Sequence, residues 1–196
     1  VTVSFSQYAC KNAADNKAEM ITPLETTASN EKAIPETTLT VDEAKEKTIA
    51  NLQEAFNGES NATARYAAFS KKANEEGYKE IALLFKAASL AEKVHASNHK
   101  AVLEEMGVAV KQAVIDVKVL STQENLEAAI KGESYEATIM YPNFLKEAKV
   151  ADNQMALISL NYAFKTEKKH QAFYEVALAA LNSNKVNTLA TTYFVC

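Results

Sequence analysis

The sequence predicts an all-α fold, a bundle of four long helices with one long crossover between helices 2 and 3. Three observations predict it. The 196 residues include only 4 Gly and 3 Pro, while Ala, Glu, Lys and Leu are abundant, a composition that favours helix over sheet. After residue 40 apolar residues recur at helical rather than alternating intervals. The stretch 107–120 (GVAVKQAVIDVKVL) is longer than the few residues that usually join antiparallel helices.

Residues 11–39 are polar, carry Pro23 and Pro35 and show no sustained period, so they read as a flexible tether. The bundle spans residues 40–182. Helix 1 opens at Thr40 with Glu43 at capping-box spacing, carries Leu52, Ala55, Phe56, Glu59, Ala62, Tyr66 and Phe69 at helical intervals, and ends near Gly77. Helix 2 runs from about Tyr78 to Met106, with Ile81, Leu84, Phe85, Ala88, Glu92 and His95 on its inner side and Gly107 as a stop. A helix of about 28 residues is roughly 42 Å long, and about 14 extended residues reach roughly 46 Å. The connection can therefore cross the bundle end to end, which makes helices 2 and 3 parallel. Helix 3 opens with the Ser121/Glu124 capping box and is expected to bend at Pro142. Helix 4 runs from near Asp152 to about Leu181.

Several classes of function fall away on composition. The formal charge is −4 and no basic stripe is interleaved with aromatics, which argues against nucleic acid as a partner. Two cysteines, Cys10 and Cys196, sit at opposite ends and make no disulfide framework. No run approaches the roughly 18 to 20 apolar residues of a membrane span, so the folded part is expected to be soluble.

The helices hide an internal two-fold repeat. NLQEAFNGES at 51–60 returns as NLEAAIKGES at 125–134, offset by 74 residues, and AEKVH at 91–95 is answered by TEKKH at 166–170, offset by 75. Glu59 thereby corresponds to Glu133, Glu92 to Glu167 and His95 to His170. A lone Glu-x-x-His is usually a surface pair or a satisfied core histidine. Here two of only 3 histidines occupy matching positions, each with a glutamate on the same helical face, and each half adds a Gly-Glu-Ser glutamate. Repetition that keeps the polar elements points to a metal site.

One Glu from each of two helices with Glu-x-x-His from each of the other two resembles the dinuclear carboxylate sites of ferritin-like proteins. Glu59, Glu92, Glu133, Glu136 and Glu167 would gather five carboxylates inside the bundle, where burial and mutual repulsion push several toward the protonated form. Two divalent ions bring four positive charges and two trivalent ions six, which brackets those five. Carboxylates with one imidazole per ion suit iron, with manganese as the other candidate, better than structural zinc. His95 and His99 are spaced like the histidines of zinc proteases, but Ala96 stands where the general base would be; His99 is expected on the helix exterior. Tyr66 and Tyr141 lie two turns beyond Glu59 and Glu133, as core packing or as hydrogen-bond donors to a ligating carboxylate.

Over residues 45–182 the chain resembles the rubrerythrin family, through the Gly-Glu-Ser segment of helix 1, AEKVHA, GESYEATIMYP and EKKH. The resemblance implies a ferritin-like di-iron bundle that reduces hydrogen peroxide to water, holding its irons through Glu59, Glu92, His95, Glu133, Glu136, Glu167 and His170. The repeat offset places Ala62 opposite Glu136, which breaks the symmetry. In the family one iron moves between the counterparts of His95 and Glu136. Glu136, Tyr66 and Tyr141 are the catalytic candidates, for proton delivery. Iron storage without turnover and manganese-dependent peroxide disproportionation are the rival functions.

The resemblance also implies an electron donor, such as rubredoxin or an NAD(P)H-dependent reductase, and a homodimer. Family members commonly carry a rubredoxin-like iron domain. Residues 183–196 end in TTYFVC, similar to the start of its first knuckle, so Cys196 would bind a rubredoxin-type iron only if the chain continues, since four thiolates are needed. Residues 1–10 (VTVSFSQYAC) resemble the remnant of a lipoprotein signal, with Gln7 departing from the usual aliphatic residue. On that reading Cys10 is a lipid anchor and the protein is membrane-attached; by family resemblance alone it is cytoplasmic.

Overall fold

A computed structural model describes residues 39–195. The expectations for Cys10, for the tether and for Cys196 lie outside the described residues. Helices α1 (Val41–Glu75), α2 (Lys79–Glu105), α3 (Thr122–Tyr135), α4 (Tyr141–Val150) and α5 (Gln154–Asn182) account for most of them, with no strand among them. No described helix is long and apolar enough to cross a membrane. The third predicted helix is α3 and α4 in series, joined by a π-helical turn at Glu136–Met140, and the fourth is α5.

Local chemistry sets the ends. Both predicted capping boxes form, Thr40 with Glu43 and Ser121 with Glu124, each satisfying otherwise orphaned amides in a first turn. Gly77 and Gly107, with φ of 89° and 71°, close α1 and α2 in the left-handed conformation that glycine adopts without steric cost. Asp152 and Asn184 do the same after α4 and α5, with φ of 52° and 56°.

The π turn explains a detail of the repeat. Between Glu133 and Tyr141 the second half holds one residue more than the first half holds between Glu59 and Tyr66, which is where the offset steps from 74 to 75. A π turn, bonded i to i+5, absorbs one extra residue without ending the helix. It keeps Tyr141 in phase with the bundle interior. Pro142 stands just beyond it and lacks the N–H that would continue α-type bonding. The departure from α-helical bonding falls at Glu136–Met140, ahead of Pro142 where it was expected.

The apolar faces meet in two cores at opposite ends. One contains Tyr66, Phe69, Ile81, Leu84, Phe85, Leu126 and Tyr174; the other contains Leu52, Leu103, Tyr141, Phe144 and Leu160. The first gathers the start of α2 and the start of α3, so these helices run parallel as expected. The crossover returns along α1, where Gln53, Asn57 and Asn61 are spaced i, i+4, i+8. Gln53 donates to the Lys111 carbonyl and accepts from the Lys111 amide, at 3.0 and 2.8 Å. Asn57 accepts from the Val114 amide at 2.8 Å and Asn61 donates to its carbonyl at 3.1 Å. An extended segment without a pairing strand still needs its backbone groups satisfied, and three amide side chains do part of that.

Candidate metal centre

Between the two cores lies a polar layer. Glu59 from α1, Glu92 and His95 from α2, Glu133 from α3, and Glu167 and His170 from α5 all point inward, none more than 7% exposed. Ligand-type atoms of Glu59, Glu92, His95 and Glu167 lie within 4.8 Å of one another, and so do those of Glu92, Glu133, Glu167 and His170. Glu92 and Glu167 belong to both groups. The geometry repeats with the sequence: His95 Nδ1 is 3.0 Å from Glu92, 3.3 Å from Glu167 and 3.8 Å from Glu59. His170 Nδ1 is 2.8 Å from Glu92, 3.2 Å from Glu167 and 3.8 Å from Glu133.

Apart from the 3.0 Å hydrogen bond between His95 Nδ1 and Glu92 Oε2, close approach leaves several of these atoms unpaired. Glu92 Oε1, Glu133 Oε2, both Glu167 oxygens and His170 Nδ1 are buried and have no hydrogen-bond partner, although His170 Nδ1 and Glu92 Oε1 are 2.8 Å apart. Leaving one buried polar group unsatisfied costs about 1 to 3 kcal/mol, so five in one layer mark a place that a cation would complete. The donor set of carboxylate oxygen and imidazole fits iron in kind.

Electrostatics agree. Burial, then the charges of Glu92, Glu167 and Glu136, raise Glu59 well above the usual carboxylate range. Burial and neighbouring carboxylates likewise raise Glu133 and Glu167. Glu92 is the exception: burial would raise it, but His170 and His95 hold it down to about 2. Against burial, Glu92 raises His170 to about 9, and Glu92 with Glu59 raises His95. Carboxyls and imidazoles both shifted toward their protonated forms describe a layer that takes up protons where cations are lacking.

Glu136 stands apart. It opens the π turn, is only partly buried and belongs to neither group. Burial and the charge of Glu92 raise it to about 7. Of seven predicted ligands, six converge and the seventh sits beside them.

Both tyrosines donate to carboxylates, and they cross between the halves. Tyr66 of the first half donates to Glu133, and Tyr141 of the second donates to Glu59. His99 corrects the expectation of an exterior side chain. It is fully buried, with Nδ1 2.8 Å from Ser159 Oγ and Nε2 3.3 Å from the Tyr141 hydroxyl. Burial lowers its pKa to about 3. The signal was present in the spacing: four residues beyond an inward His95 is one turn along the same face. Arg65 was also missed. It is the only arginine in the chain; its guanidinium lies 5.3 Å over the Tyr66 ring and its Nε is buried without a partner.

The rubrerythrin family model matches residues 50–178, the stretch that carries all of these side chains. The chain belongs to the rubrerythrin family. It is 38% identical over 136 residues to nigerythrin of Nitratidesulfovibrio vulgaris, covering 69% of this chain and 66% of that one. It is 33% identical over 144 residues to rubrerythrin-2 of Clostridium acetobutylicum, covering 72% and 78%. A structure of nigerythrin in its mixed-valence state aligns with TM-score 0.64 at 35% identity, over 69% of this chain and 68% of that chain. A bacterioferritin of Desulfovibrio desulfuricans aligns with TM-score 0.67 at 21% identity, over 78% and 92%; at that identity the likeness shows the fold, a ferritin-like four-helix bundle. The chain is a rubrerythrin-like di-iron protein, and its buried Glu/His cluster fits a di-iron site.

Proposed function

We propose that this rubrerythrin-family chain is a non-haem di-iron peroxidase that reduces hydrogen peroxide to two waters, with two electrons and two protons per turnover. The observation that carries the reading is the pair of overlapping ligand groups with Glu92 and Glu167 in common, which is what two adjacent ions require. Glu92 and Glu167 would hold both irons, Glu59 and His95 would complete one position, and Glu133 and His170 the other. The bound irons would supply the two electrons that cleave the peroxide O–O bond.

The chain's own residues supply the rest. The apolar cores on either side exclude bulk water from the layer, which strengthens every charge interaction within it. Tyr66 and Tyr141 hold hydroxyl protons on Glu133 and Glu59 and fix which carboxylate oxygen is free to ligate. Glu136, raised to about 7 and partly open to solvent, exchanges a proton near neutral pH. By the family resemblance Glu136 would be a further carboxylate available to the iron that His95 would hold.

Reduction between turnovers comes from a rubredoxin-type donor or an NAD(P)H-dependent reductase. The test is metal content measured together with turnover. Two irons per chain, with the diferrous protein oxidised faster by peroxide under anaerobic mixing than by dioxygen in a parallel aerobic mixing, is the expected result. Uptake of many irons per chain would instead indicate storage, and peroxide loss without reductant in a manganese-loaded protein would indicate disproportionation.

A further inference from the structure

The repeat makes the two tyrosines equivalent, yet what stands behind them differs. Behind Tyr141 is a buried polar line: Ser159 Oγ, 2.8 Å to His99 Nδ1, then His99 Nε2, 3.3 Å to the Tyr141 hydroxyl, then Glu59. The repeat-mate of His99 is Tyr174 and that of Ser159 is Leu84, each 75 positions away. Tyr174 is fully buried, its hydroxyl has no partner, and it packs with Tyr66, Phe69 and Phe85. No corresponding line reaches Tyr66.

We propose that His99, in the tautomer with its proton on Nε2, is a positioning residue that locks the Tyr141 hydroxyl as a donor to Glu59 and thereby makes the two metal positions unequal. A proton inventory carries the inference, which rests on the metal reading above. When Glu59 holds a cation it is a carboxylate and only accepts. Tyr141 has one proton and gives it to Glu59, so its oxygen can only accept from His99. Nε2 must then carry the imidazole proton. A neutral imidazole has one N–H, so Nδ1 accepts and Ser159 Oγ donates to it. All three donors point the same way, toward Glu59. On the other side Tyr66 is held by packing among aromatic rings, by the Arg65 guanidinium over its ring and by its bond to Glu133.

The test uses zinc as a diamagnetic probe and does not depend on turnover. In the zinc-loaded protein labelled with 15N-histidine, the His99 ring nitrogens should show the proton on Nε2; a proton on Nδ1 overturns the proposal. Zinc titration of His99→Phe should weaken one of two ions about tenfold and leave the other unchanged. His99→Gln places an amide N–H near the Nε2 position and should restore most of the loss, which a purely space-filling role would not predict. Should His99→Phe fail to fold, His99→Gln and Ser159→Ala carry the comparison, the latter weakening the same ion. Equal weakening of both ions, or of neither, overturns the assignment. A wild-type chain that takes up no zinc pair sinks the metal reading itself, a result distinguishable from a pair bound with the other tautomer.

Discussion

The two halves of the repeat carry the same candidate ligands on different supports. Around Tyr66 the wall is aromatic, with Phe85 stacked at 5.9 Å and Tyr174 edge-on at 5.5 Å. Around Tyr141 the wall contains His99, Ser159 and the π turn. Duplication preserved what touches the candidate ions and let what stands behind diverge. A ligand's type is set by the ion, whereas its support needs only to hold one orientation, and packing and hydrogen bonding both achieve that.

The largest effect should separate the common ligands from the private ones. Glu92→Ala or Glu167→Ala removes a group from both ligand sets and should abolish uptake of both ions, whereas Glu59→Ala or Glu133→Ala should cost one; metal analysis after dialysis distinguishes them. Equal losses in all four variants would erase the distinction between shared and private positions.

Proton linkage comes next. From pH 6.5 to 9 the metal-free fold should lose stability. His170, raised to about 9, and the raised carboxylates Glu59, Glu133 and Glu167 bind more protons folded than unfolded, so folding weakens as pH rises, by about 1.4 kcal/mol per pH unit for each proton of difference. Glu136, raised to about 7, adds to this only at the low end. Below 6.5 His99, held down to about 3, acts in the opposite sense by one proton and makes the slope shallower than the raised carboxylates alone would give. Bound cations take over the balancing of these charges, so the metal-loaded protein should show a flat profile in the same denaturation series.

The tyrosines give a smaller contrast. Tyr141→Phe orphans both Glu59 and the Nε2 of His99 and should destabilise by about 2 kcal/mol; Tyr66→Phe orphans Glu133 and should cost about 1. Chemical denaturation of the two variants measures the difference. Smallest of all, Tyr174→Phe removes a hydroxyl that has no partner and should be neutral or stabilising by less than about 1 kcal/mol.

Much of this was legible before any coordinates. Helical periodicity, capping boxes and the length of 107–120 specified a bundle with parallel second and third helices, because these are local signals that tertiary contacts reinforce. The convergence of the buried Glu/His layer was legible because duplication wrote it twice. The step in offset from 74 to 75 was visible too, but a one-residue step does not say whether a helix ends, loops or widens; only the backbone shows Glu136–Met140 widening. His99 was misplaced because a histidine one turn beyond a ligand looks polar enough for solvent, and the serine that satisfies it comes from another helix, 60 residues away. The crossed tyrosine bonds are likewise contacts between halves, which no pattern within one half encodes. Gln53, Asn57 and Asn61 share one helical face by spacing, but nothing in that spacing shows that the crossover lies against them.

That strap has a topological consequence. It grips α1 through side chains of the first hairpin and meets α3 at Leu120, whose backbone N–H and carbonyl pair with the Asn125 side chain. Nicking the strap between Ile115 and Val119 would yield two complementary peptides, one bearing Glu59, Glu92 and His95 and the other bearing Glu133, Glu136, Glu167 and His170. Neither fragment alone could assemble the full cage, so iron retention would become a direct gauge of their reunion.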